Sequence, residues 1–263
     1  MNRLDQELVI RQLARSRTEA VKLLEAGRVL VAGQAAAKAS KKVDSTVSIE
    51  VLAAEGEEYV SRAGHKLAGA LQVFTAVDPA GLRCLDAGAS TGGFSDVLLR
   101  RDAATVLSVD VGHGQLVDEI RHHPRVVVHE GMNVRYLTAE EIGGQVDLVV
   151  ADLSFISLRL VLDALASVTK PGGALVLMVK PQFEVGREHL NRTGVVSSAQ
   201  LRRQSVEQVV AKARETGLQL KGLARSPLPG QDGNVEFFLW LGAELAGGEP
   251  ESEDVMISAV DYS

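Results

Sequence analysis

The stretch that decides the fold is Leu85-Asp86-Ala87-Gly88-Ala89-Ser90-Thr91-Gly92-Gly93-Phe94. It follows a short apolar run and precedes a helical pattern that begins at Ser95. An apolar strand, a glycine-rich turn and a helix start let backbone approach a ligand without clashes from Cβ atoms. A dinucleotide fingerprint reads G-x-G-x-x-G, whereas the spacing here is D-x-G-x-x-x-G-G. The turn therefore predicts a ligand site, but not the pyrophosphate site of a nicotinamide enzyme.

Apolar runs and helical patterns alternate beyond the turn. We expect strands at 82–86, 105–110, 126–129, 146–151, 174–179, 218–223 and 235–241. We expect helices between them near 95–101, 115–121, 157–168 and 198–216. This alternation predicts an α/β fold whose mostly parallel sheet is covered by helices on both faces.

Composition restricts the class of protein. The chain has 263 residues, enough for one large domain or for a small and a medium one. The longest apolar run, Ala174 to Val179, is far shorter than the roughly 20 residues that a membrane-spanning helix needs. The first seven residues contain no apolar signal core. The single cysteine, Cys84, excludes an internal disulfide, and its place in an expected strand predicts a buried thiol. These features predict a cytoplasmic protein.

Charge is distributed unevenly along the chain, whose net charge is −6. Residues 1–50 carry nine Lys and Arg against six Asp and Glu, while residues 226–263 carry eight acids and no Lys or Arg. A basic N-terminal segment is compatible with nucleic-acid binding. On charge alone, an ordinary solvated face explains it equally well.

The first 55 residues predict a small α+β unit. Helical spacing covers residues 4–14, and a second helix over 17–26 starts after Ser16, with Glu19 completing a capping box. Residues 28–33 indicate a strand, and residues 43–52 indicate a strand pair.

Three motifs in this segment resemble the RNA-binding domain named after ribosomal protein S4. They are Arg3-Leu4-Asp5, Leu13-Ala14-Arg15-Ser16-Arg17 and Gly27-Arg28-Val29-Leu30-Val31-Ala32-Gly33. The resemblance implies that basic side chains of this unit contact structured RNA through its shape and phosphates. The predicted RNA-binding residues are Arg3, Arg11, Arg15, Arg17, Lys22, Arg28, Lys38, Lys41 and Lys42.

Polar side chains follow the ends of neighbouring strands in the expected sheet, where open α/β sheets bind ligands. A carboxylate at Asp110 can accept ribose hydroxyls, and the amide of Asn133 can face an adenine edge. A single acid at such a place could equally be a helix cap, but several acids share this edge with the glycine turn. The turn itself resembles the first motif of S-adenosylmethionine-dependent methyltransferases. The predicted cofactor-binding residues are Asp86, Gly88, Ser90, Gly92, Gly93, Phe94, Asp110, Asn133 and Asp152.

Two charged residues lie in or beside otherwise apolar strands. Lys180 ends one strand and Glu236 begins another, and a buried charge is costly unless it is paired. The two could simply be partners. Alternatively, a partly desolvated lysine at this edge could act as a base.

Long motifs along nearly the whole chain resemble the TlyA family, historically labelled haemolysins and similar to FtsJ-type ribose 2′-O-methyltransferases. The motifs are Ser61–Lys66, Cys84–Phe94, Asp147–Ser157, Val179–Gly186, Pro227–Gly230 and Gly233–Trp240. The resemblance implies a Rossmann-like sheet of seven strands, the last one antiparallel, and methylation of cytidine 2′-hydroxyls in ribosomal RNA. The family's Lys-Asp-Lys-Glu tetrad falls on Lys66, Asp152, Lys180 and Glu236, of which Lys180 is the candidate general base.

The resemblance also gives the expected domain organisation. An RNA-binding domain covers 1–55, a linker covers 56–63, a methyltransferase domain covers 64–245, and an acidic, disordered tail covers 246–263. Some relatives carry Trp-Val in the linker where this chain has Tyr59-Val60. The expected cofactor is S-adenosylmethionine without a metal, and the expected partner is ribosomal RNA within ribosomal subunits.

Three other functions are compatible with parts of the sequence. The historical label suggests a membrane-lytic protein, although no strongly amphipathic basic helix stands out. The chain could be an RNA-binding module with a non-catalytic Rossmann-like domain, which the complete tetrad disfavours. It could also be a methyltransferase of small molecules or proteins, which the basic N-terminal segment disfavours.

Overall fold

The chain divides into two compact units, Met1–Glu58 and Tyr59–Ser263. The computed structural model describes residues 2–14, 16–25, 27–36, 38–52, 58–230, 232–243 and 253–263. The expected linker at 56–63 extends too far towards the C-terminus. Residues from Tyr59 onward belong to the second unit, and Tyr59 and Val60 pack against one of its hydrophobic cores. The first helix of that unit begins at Arg62.

The first unit combines two helices with short strands. Its elements are β1 (Asn2–Arg3), α1 (Leu4–Ile10), α2 (Arg17–Glu25), β2 (Val29–Val31), β3 (Gln34–Ala35), β4 (Lys42–Val43) and β5 (Ile49–Val51). Strand β2 pairs with β3 and β5, and β1 pairs with β4. The expected pairing of two strands within 43–52 is wrong, because β4 and β5 lie in separate sheets.

The apolar positions of the first unit form one core. Leu4 and Leu8 lie one turn apart on α1 and are fully buried, with Leu24 of α2 and Val29 of β2 against the same core. Helix α1 is shorter than the expected 4–14, because Gln12 adopts a left-handed backbone with φ of 58° and ends the helical run.

The second unit alternates strands and helices. Its strands are β6 (Arg83–Ala87), β7 (Thr105–Asp110), β8 (Val126–Glu130), β9 (Val146–Ala151), β10 (Thr169–Val179), β11 (Gln219–Arg225) and β12 (Phe237–Gly242). Its α-helices are α3 (Arg62–Val73), α4 (Gly93–Arg100), α5 (Asp118–Arg121), α6 (Leu162–Ser167), α7 (Pro181–Glu184), α8 (Ala199–Glu215) and α9 (Glu253–Ala259). Short 3₁₀ helices cover Val134–Tyr136, Leu158–Leu160 and Arg187–His189.

The strands form one seven-stranded sheet in the order β11-β12-β10-β9-β6-β7-β8. Strand β12 is antiparallel to both of its neighbours, while the pairs among β6 to β10 are parallel. The fold class is therefore confirmed: a mostly parallel sheet whose last strand is antiparallel.

Helices cover both faces of this sheet. Side chains from α3, α4 and α5 share a core with Cys84, Val150 and Phe238. Side chains from α6, α8 and α9 share the opposite core with Leu85 and Phe237. Successive strand residues alternate between the two cores, as expected for a sheet buried on both sides. Among the residues the structure describes, no helix is long and apolar enough to cross a membrane.

Strand order places a ligand crevice beside β6. The chain proceeds from β6 to β7 and β8 on one side, then returns to build β9 and β10 on the other. Such a reversal leaves a crevice at the carboxyl ends of the two strands where it occurs, here β6 and β9. The glycine turn follows β6, and Asp152 follows β9.

The end of the chain departs from the expected disordered tail. Residues 244–252 lie outside the described part, but α9 follows and packs on the sheet. Ile257 and Tyr262 are buried, and the ring of Tyr262 lies 5.0 Å from that of Phe237. The expectation was wrong because residues 246–263 contain five acids and no Lys or Arg, a charge pattern that does not reveal the apolar contacts of Ile257 and Tyr262.

Candidate active site

The glycine turn after β6 requires glycine at several positions. Gly88 and Gly92 have φ of 85° and 97°, in the left-handed region that disfavours side chains. A Cβ at Gly88 would lie 2.8 Å from the carbonyl oxygen of Asp152. A Cβ at Gly93 would lie 2.9 Å from the backbone nitrogen of Gly64. The turn therefore brings the ends of β6 and β9 and the start of α3 close together.

Asp86 lies behind this turn, where its side chain is fully buried. Ser95 Oγ donates to Asp86 Oδ2 at 2.7 Å and lies 2.7 Å from Ser108 Oγ. Burial, with smaller contributions from Asp152 and Asp110, raises the pKa of Asp86 to about 7, against the effect of the Ser95 bond. The structure therefore places Asp86 beneath the turn as a support and does not bring it to the surface of a cavity.

A cavity of about 490 Å³ opens beside the turn, within the size range of small-molecule sites. Five predicted cofactor residues line it: Gly88, Ser90, Asp110, Asn133 and Asp152. Gln115, Ser154 and seven apolar residues form the rest of the wall; the apolar ones are Val111, Met132, Val134, Leu153, Phe155, Ile156 and Val161. A mostly apolar wall with a few polar groups fits a nucleoside that carries a polar tail.

Polar groups of this cavity are held by the backbone. Asp110 Oδ2 accepts from Ser90 N at 2.8 Å, and Oδ1 accepts from Gly112 N at 2.7 Å. Each carboxylate oxygen keeps a further lone pair, so Asp110 can still accept hydroxyls of a ribose. Asn133 Oδ1 accepts from Arg135 N at 3.0 Å, which leaves its amide NH₂ for a ligand. The donor and acceptor set thus fits S-adenosylmethionine.

A second cavity, of about 140 Å³, adjoins the first and shares Gly88, Ser90, Asp152 and Ser154 with it. Its wall also includes Lys180. Gly93 and Phe94 of the turn line this smaller space, although the Phe94 side chain packs in the core against Phe238. Gly92 lines neither cavity. Lys180 therefore lies at the edge of the predicted cofactor site, on the wall of the smaller cavity.

The four tetrad residues form two ion pairs. Lys180 Nζ lies 2.6 Å from Asp152 Oδ1, and Lys66 Nζ lies 2.5 Å from Glu236 Oε2. The alternative in which Lys180 and Glu236 are partners is wrong, because Lys66 of α3 pairs with Glu236. The Lys66–Glu236 pair is the more buried, with side chains 9% and 2% exposed, against 11% and 17% for Lys180 and Asp152.

Two polar residues that the sequence analysis missed contact these pairs. Lys180 Nζ also donates to Ser154 Oγ at 2.9 Å, and Gln182 Nε2 lies 3.4 Å from Glu236 Oε1. Ser154 lies two residues after Asp152, and Gln182 lies two residues after Lys180. This closeness in sequence was the signal that could have identified them. In the described part of the chain, no three His, Cys, Asp or Glu side chains gather as metal ligands would.

Several basic residues predicted to bind RNA make bonds within the first unit. Arg3 and Arg17 pair with the buried carboxylate of Asp5 at 3.0 and 2.9 Å, and these bonds hold the pKa of Asp5 well below its usual range. Arg11 pairs with buried Glu7 at 2.9 Å, and bonds from Asn2 and Arg11 lower the pKa of Glu7.

The remaining predicted RNA-binding residues fall into three groups. Arg28 donates to the carbonyl of Leu52 at 2.7 Å and pairs with Glu58. The side chains of Lys38, Lys41 and Lys42 are exposed. Arg15 and the side chain of Lys22 lie outside the described residues.

Comparison with known proteins agrees with this architecture. Residues 59–243 match the FtsJ-like methyltransferase family, and residues 2–49 match the S4 domain. The 16S/23S rRNA (cytidine-2′-O)-methyltransferase TlyA of Mycobacterium tuberculosis is 53% identical over 239 residues, which are 91% of this chain and 89% of that protein. Hemolysin A of Brachyspira hyodysenteriae is 34% identical over 236 residues, covering 89% and 97% respectively.

A solved structure described as a hemolysin from Streptococcus thermophilus has a TM-score of 0.75 and 36% identity, and covers 98% of this chain and 94% of that one. The second unit is therefore a methyltransferase domain, and the chain is an enzyme. It belongs to the TlyA family of rRNA 2′-O-methyltransferases, which confirms the family predicted from the motifs.

Proposed function

We propose that this enzyme transfers the methyl group of S-adenosylmethionine to the ribose 2′-hydroxyl of a cytidine in ribosomal RNA, with Lys180 as the general base. The observation that carries the proposal is the Lys180–Asp152 pair on the wall of the smaller cavity, which adjoins the predicted cofactor cavity. The M. tuberculosis relative, an rRNA (cytidine-2′-O)-methyltransferase, supports the same acceptor.

The cofactor is assigned to the larger cavity. Asp110 would accept the ribose hydroxyls, Asn133 would face the adenine, and Gly88 would let the ligand approach the backbone. When bound, S-adenosylmethionine supplies a methyl group already activated on a sulfonium and leaves as a neutral thioether. Gly88, Asp152 and Ser154 line both cavities and would hold the reactive end of the cofactor beside Lys180.

The residues of this chain would act on the acceptor. A ribose hydroxyl is a weak nucleophile until its proton is removed, and a positioned base contributes typically about 10²–10⁴-fold. Lys180 would take that proton on Nζ, so its amine must be uncharged when the hydroxyl arrives. Asp152 would orient Lys180, and the Lys66–Glu236 pair would position the ribose. Alignment of the reacting groups would lower the activation barrier further, by roughly 7–11 kcal/mol, which is more than the base contributes.

The first unit would bring the RNA to this site. We propose that Arg3, Arg17, Lys38, Lys41 and Lys42 contact phosphates. The side chains of Arg3 and Arg17 are 44% and 58% exposed, and the three lysines are exposed residues. Arg11 and Arg28 make internal bonds and would act mainly by holding the unit together. The RNA partner would be ribosomal RNA within a ribosomal subunit, in the cytoplasm.

The proposal is tested by mapping 2′-O-methylated cytidines in ribosomal RNA from cells with and without this chain. We expect at least one cytidine to be methylated only when the chain is present. Cells that carry Lys180→Ala should lack this methylation. Cells that carry Lys212→Ala should retain it, because Lys212 lies in the last turn of α8 and lines neither cavity. Identical methylation maps with and without the chain would contradict the proposal.

A further inference from the structure

Glu184 is a buried acid for which the proposed reaction has no role. Its side chain is 1% exposed. Oε1 accepts from Leu158 N at 2.7 Å, and Oε2 accepts from Ser157 Oγ at 2.6 Å. Arg159 Nε donates to Oε2 at 3.1 Å, and Arg159 also donates to the backbone carbonyl of Glu184 at 3.1 Å. Glu184 therefore ties α7 to residues 157–159 through both its side chain and its backbone.

The bonds to Glu184 are not required to cap the neighbouring 3₁₀ helix. Ser157 already caps the 3₁₀ helix Leu158–Leu160, because its Oγ accepts from Arg159 N at 3.2 Å. A buried carboxylate is costly unless every oxygen is satisfied, and here both oxygens are. The arrangement therefore fixes two elements against each other, in addition to capping a helix.

The segment held by Glu184 continues into the wall of the cofactor cavity. Leu153, Ser154, Phe155 and Ile156 line that cavity and directly precede Ser157. Phe155 has φ of 65° although it is not glycine, and it is 92% exposed. Such a conformation persists only where the surroundings over-determine it. The exposed ring of Phe155 lies 5.4 Å from that of Phe183 in α7, so one constraint is this ring contact and the others come from the residues on either side.

Helix α7 supplies a constraint on both sides of Phe155. Lys180 precedes the helix and contacts Ser154 Oγ at 2.9 Å, while Glu184 ends the helix and contacts Ser157 Oγ at 2.6 Å. The same short helix thus holds the loop at one residue before Phe155 and at a second residue after it. A change at Glu184 would release the anchor after Phe155 and leave the Lys180–Ser154 bond and the Phe155–Phe183 ring contact in place.

We propose that Glu184 is a positioning residue. By fixing residues 157–159 to α7, it sets the shape of the loop 153–156 over the cofactor cavity and keeps Ser154 against Lys180. The effect on reaction rate rests on the proposed function, whereas the effect on the loop does not.

The rate is tested with Glu184→Gln, which keeps the shape of the side chain but removes its charge. The matched control is Glu188→Gln, an acid four residues along whose side chain is 73% exposed. We expect kcat with ribosomal subunits to fall at least tenfold in Glu184→Gln at a temperature where both variants are folded, while KM for RNA stays close to that of the control. A kcat within twofold of the control would overturn the proposal.

The loop is tested separately with Phe155→Trp, whose tryptophan reports on loop motion through fluorescence anisotropy. Chains that lack this substitution give the Trp240 background, which is subtracted. We expect lower anisotropy and stronger iodide quenching in the Glu184→Gln background than in the Glu188→Gln background. Equal signals would overturn the proposal. This readout needs no methyl transfer, so it decides the role of Glu184 even if the proposed reaction fails.

A third variant keeps the test decisive if Glu184→Gln does not fold. Arg159→Met removes two of the bonds to Glu184 at a side chain that is 39% exposed, where the fold tolerates a change. We expect a fall in kcat of at least threefold and a smaller drop in reporter anisotropy. Unchanged kcat and anisotropy in this variant would also overturn the proposal.

Discussion

Lys180 Nζ lies 2.6 Å from Asp152 Oδ1, and the two residues follow directly after the adjacent parallel strands β10 and β9. Parallel neighbours end at the same sheet edge, so the residues after each strand are brought together without any contribution from a distant loop. The pair lies where the two cavities meet. The fold therefore already forms the Lys180–Asp152 ion pair at the boundary between the two cavities.

The Lys66–Glu236 pair gives a prediction about stability. Its side chains are 9% and 2% exposed, so removing one partner leaves a buried charge, which costs about 3–5 kcal/mol. We expect Lys66→Met or Glu236→Gln to lower the free energy of unfolding by that order, and the double variant to recover part of the loss. Denaturant titration measures all three. A double variant as destabilised as the two single changes summed would contradict the pairing.

The same cycle separates stability from activity. The double variant should regain stability but not methyl transfer, because an apolar side chain and an amide cannot position a ribose as the ion pair would. The exposed Arg203–Glu207 pair serves as the control, since surface pairs contribute about 0–1 kcal/mol.

Asp86 gives a prediction about pH. Its pKa is raised to about 7 by burial, whereas the unfolded chain releases this proton near its ordinary value of 3.8. Between these values the native state binds one more proton than the unfolded state, so stability falls as pH rises. The slope attributable to Asp86 is about 1.4 kcal/mol per pH unit. Asp86→Asn should remove this slope, as measured by unfolding at pH 4 to 8.

Ser95 provides the matched control for that measurement. Its hydroxyl bond to Asp86 lowers the pKa of Asp86, so Ser95→Ala should extend the loss of stability to higher pH. If Asp86→Asn and the unsubstituted chain show the same pH dependence, Asp86 does not titrate in this range.

Gly88 gives a prediction about the cofactor site. Gly88→Ala would place a Cβ 2.8 Å from the Asp152 carbonyl at a φ of 85°. We expect the Kd for S-adenosylmethionine to rise at least tenfold, as measured by calorimetry. Gly114→Ala is the control, because its φ of 66° carries the backbone strain without any atom within 4 Å of the new Cβ. Equal losses in both variants would assign the effect to strain alone.

The exposed lysines of the first unit give a prediction about RNA binding. Removing one lysine that pairs with a phosphate should reduce the slope of log affinity against log salt by about 0.7–0.9. Replacing Lys38, Lys41 and Lys42 together by Gln should therefore weaken binding to ribosomal RNA and flatten its salt dependence. Arg11→Gln should instead lower the stability of the unit, since Arg11 bonds to Glu7 and to the carbonyl of Val47. An unchanged salt slope in the triple variant would exclude these lysines from the interface.

The sheet of the second unit could be predicted from the sequence because each strand is a short apolar run bounded by turn residues. Strand β10 was expected at 174–179 but extends back to Thr169, because its first residues pair with β9 across an irregularity before Ala174. Helix α9 was missed because the acids before and within it suggested a solvated tail, although Ile257 of α9 and Tyr262 beyond it are buried in the core.

The sequence predicts which site residues lie at the same sheet edge, but it does not predict which of them form ion pairs with each other. Glu236 precedes β12, whose antiparallel register against β10 sets Phe237 beside Val179, so Glu236 and Lys180 lie at the same edge. The sequence contains no signal that Lys66, from a helix 170 positions away, takes Glu236 instead. Buried acids such as Asp5, Glu7 and Glu184 were missed for a related reason: in sequence they resemble solvated surface charges.

The most direct test of the proposed reaction is methyl transfer by the purified chain to unmodified ribosomal subunits, followed by digestion and quantification of 2′-O-methylcytidine. Lys170→Ala is the matched control, because Lys170 pairs with Asp147 at 2.7 Å near the opposite end of the same strands. We predict 2′-O-methylcytidine with the unsubstituted chain and with Lys170→Ala, and a loss of about 100-fold or more with Lys180→Ala. Full activity in Lys180→Ala, or methyl groups found on bases instead of ribose, would contradict the proposed reaction.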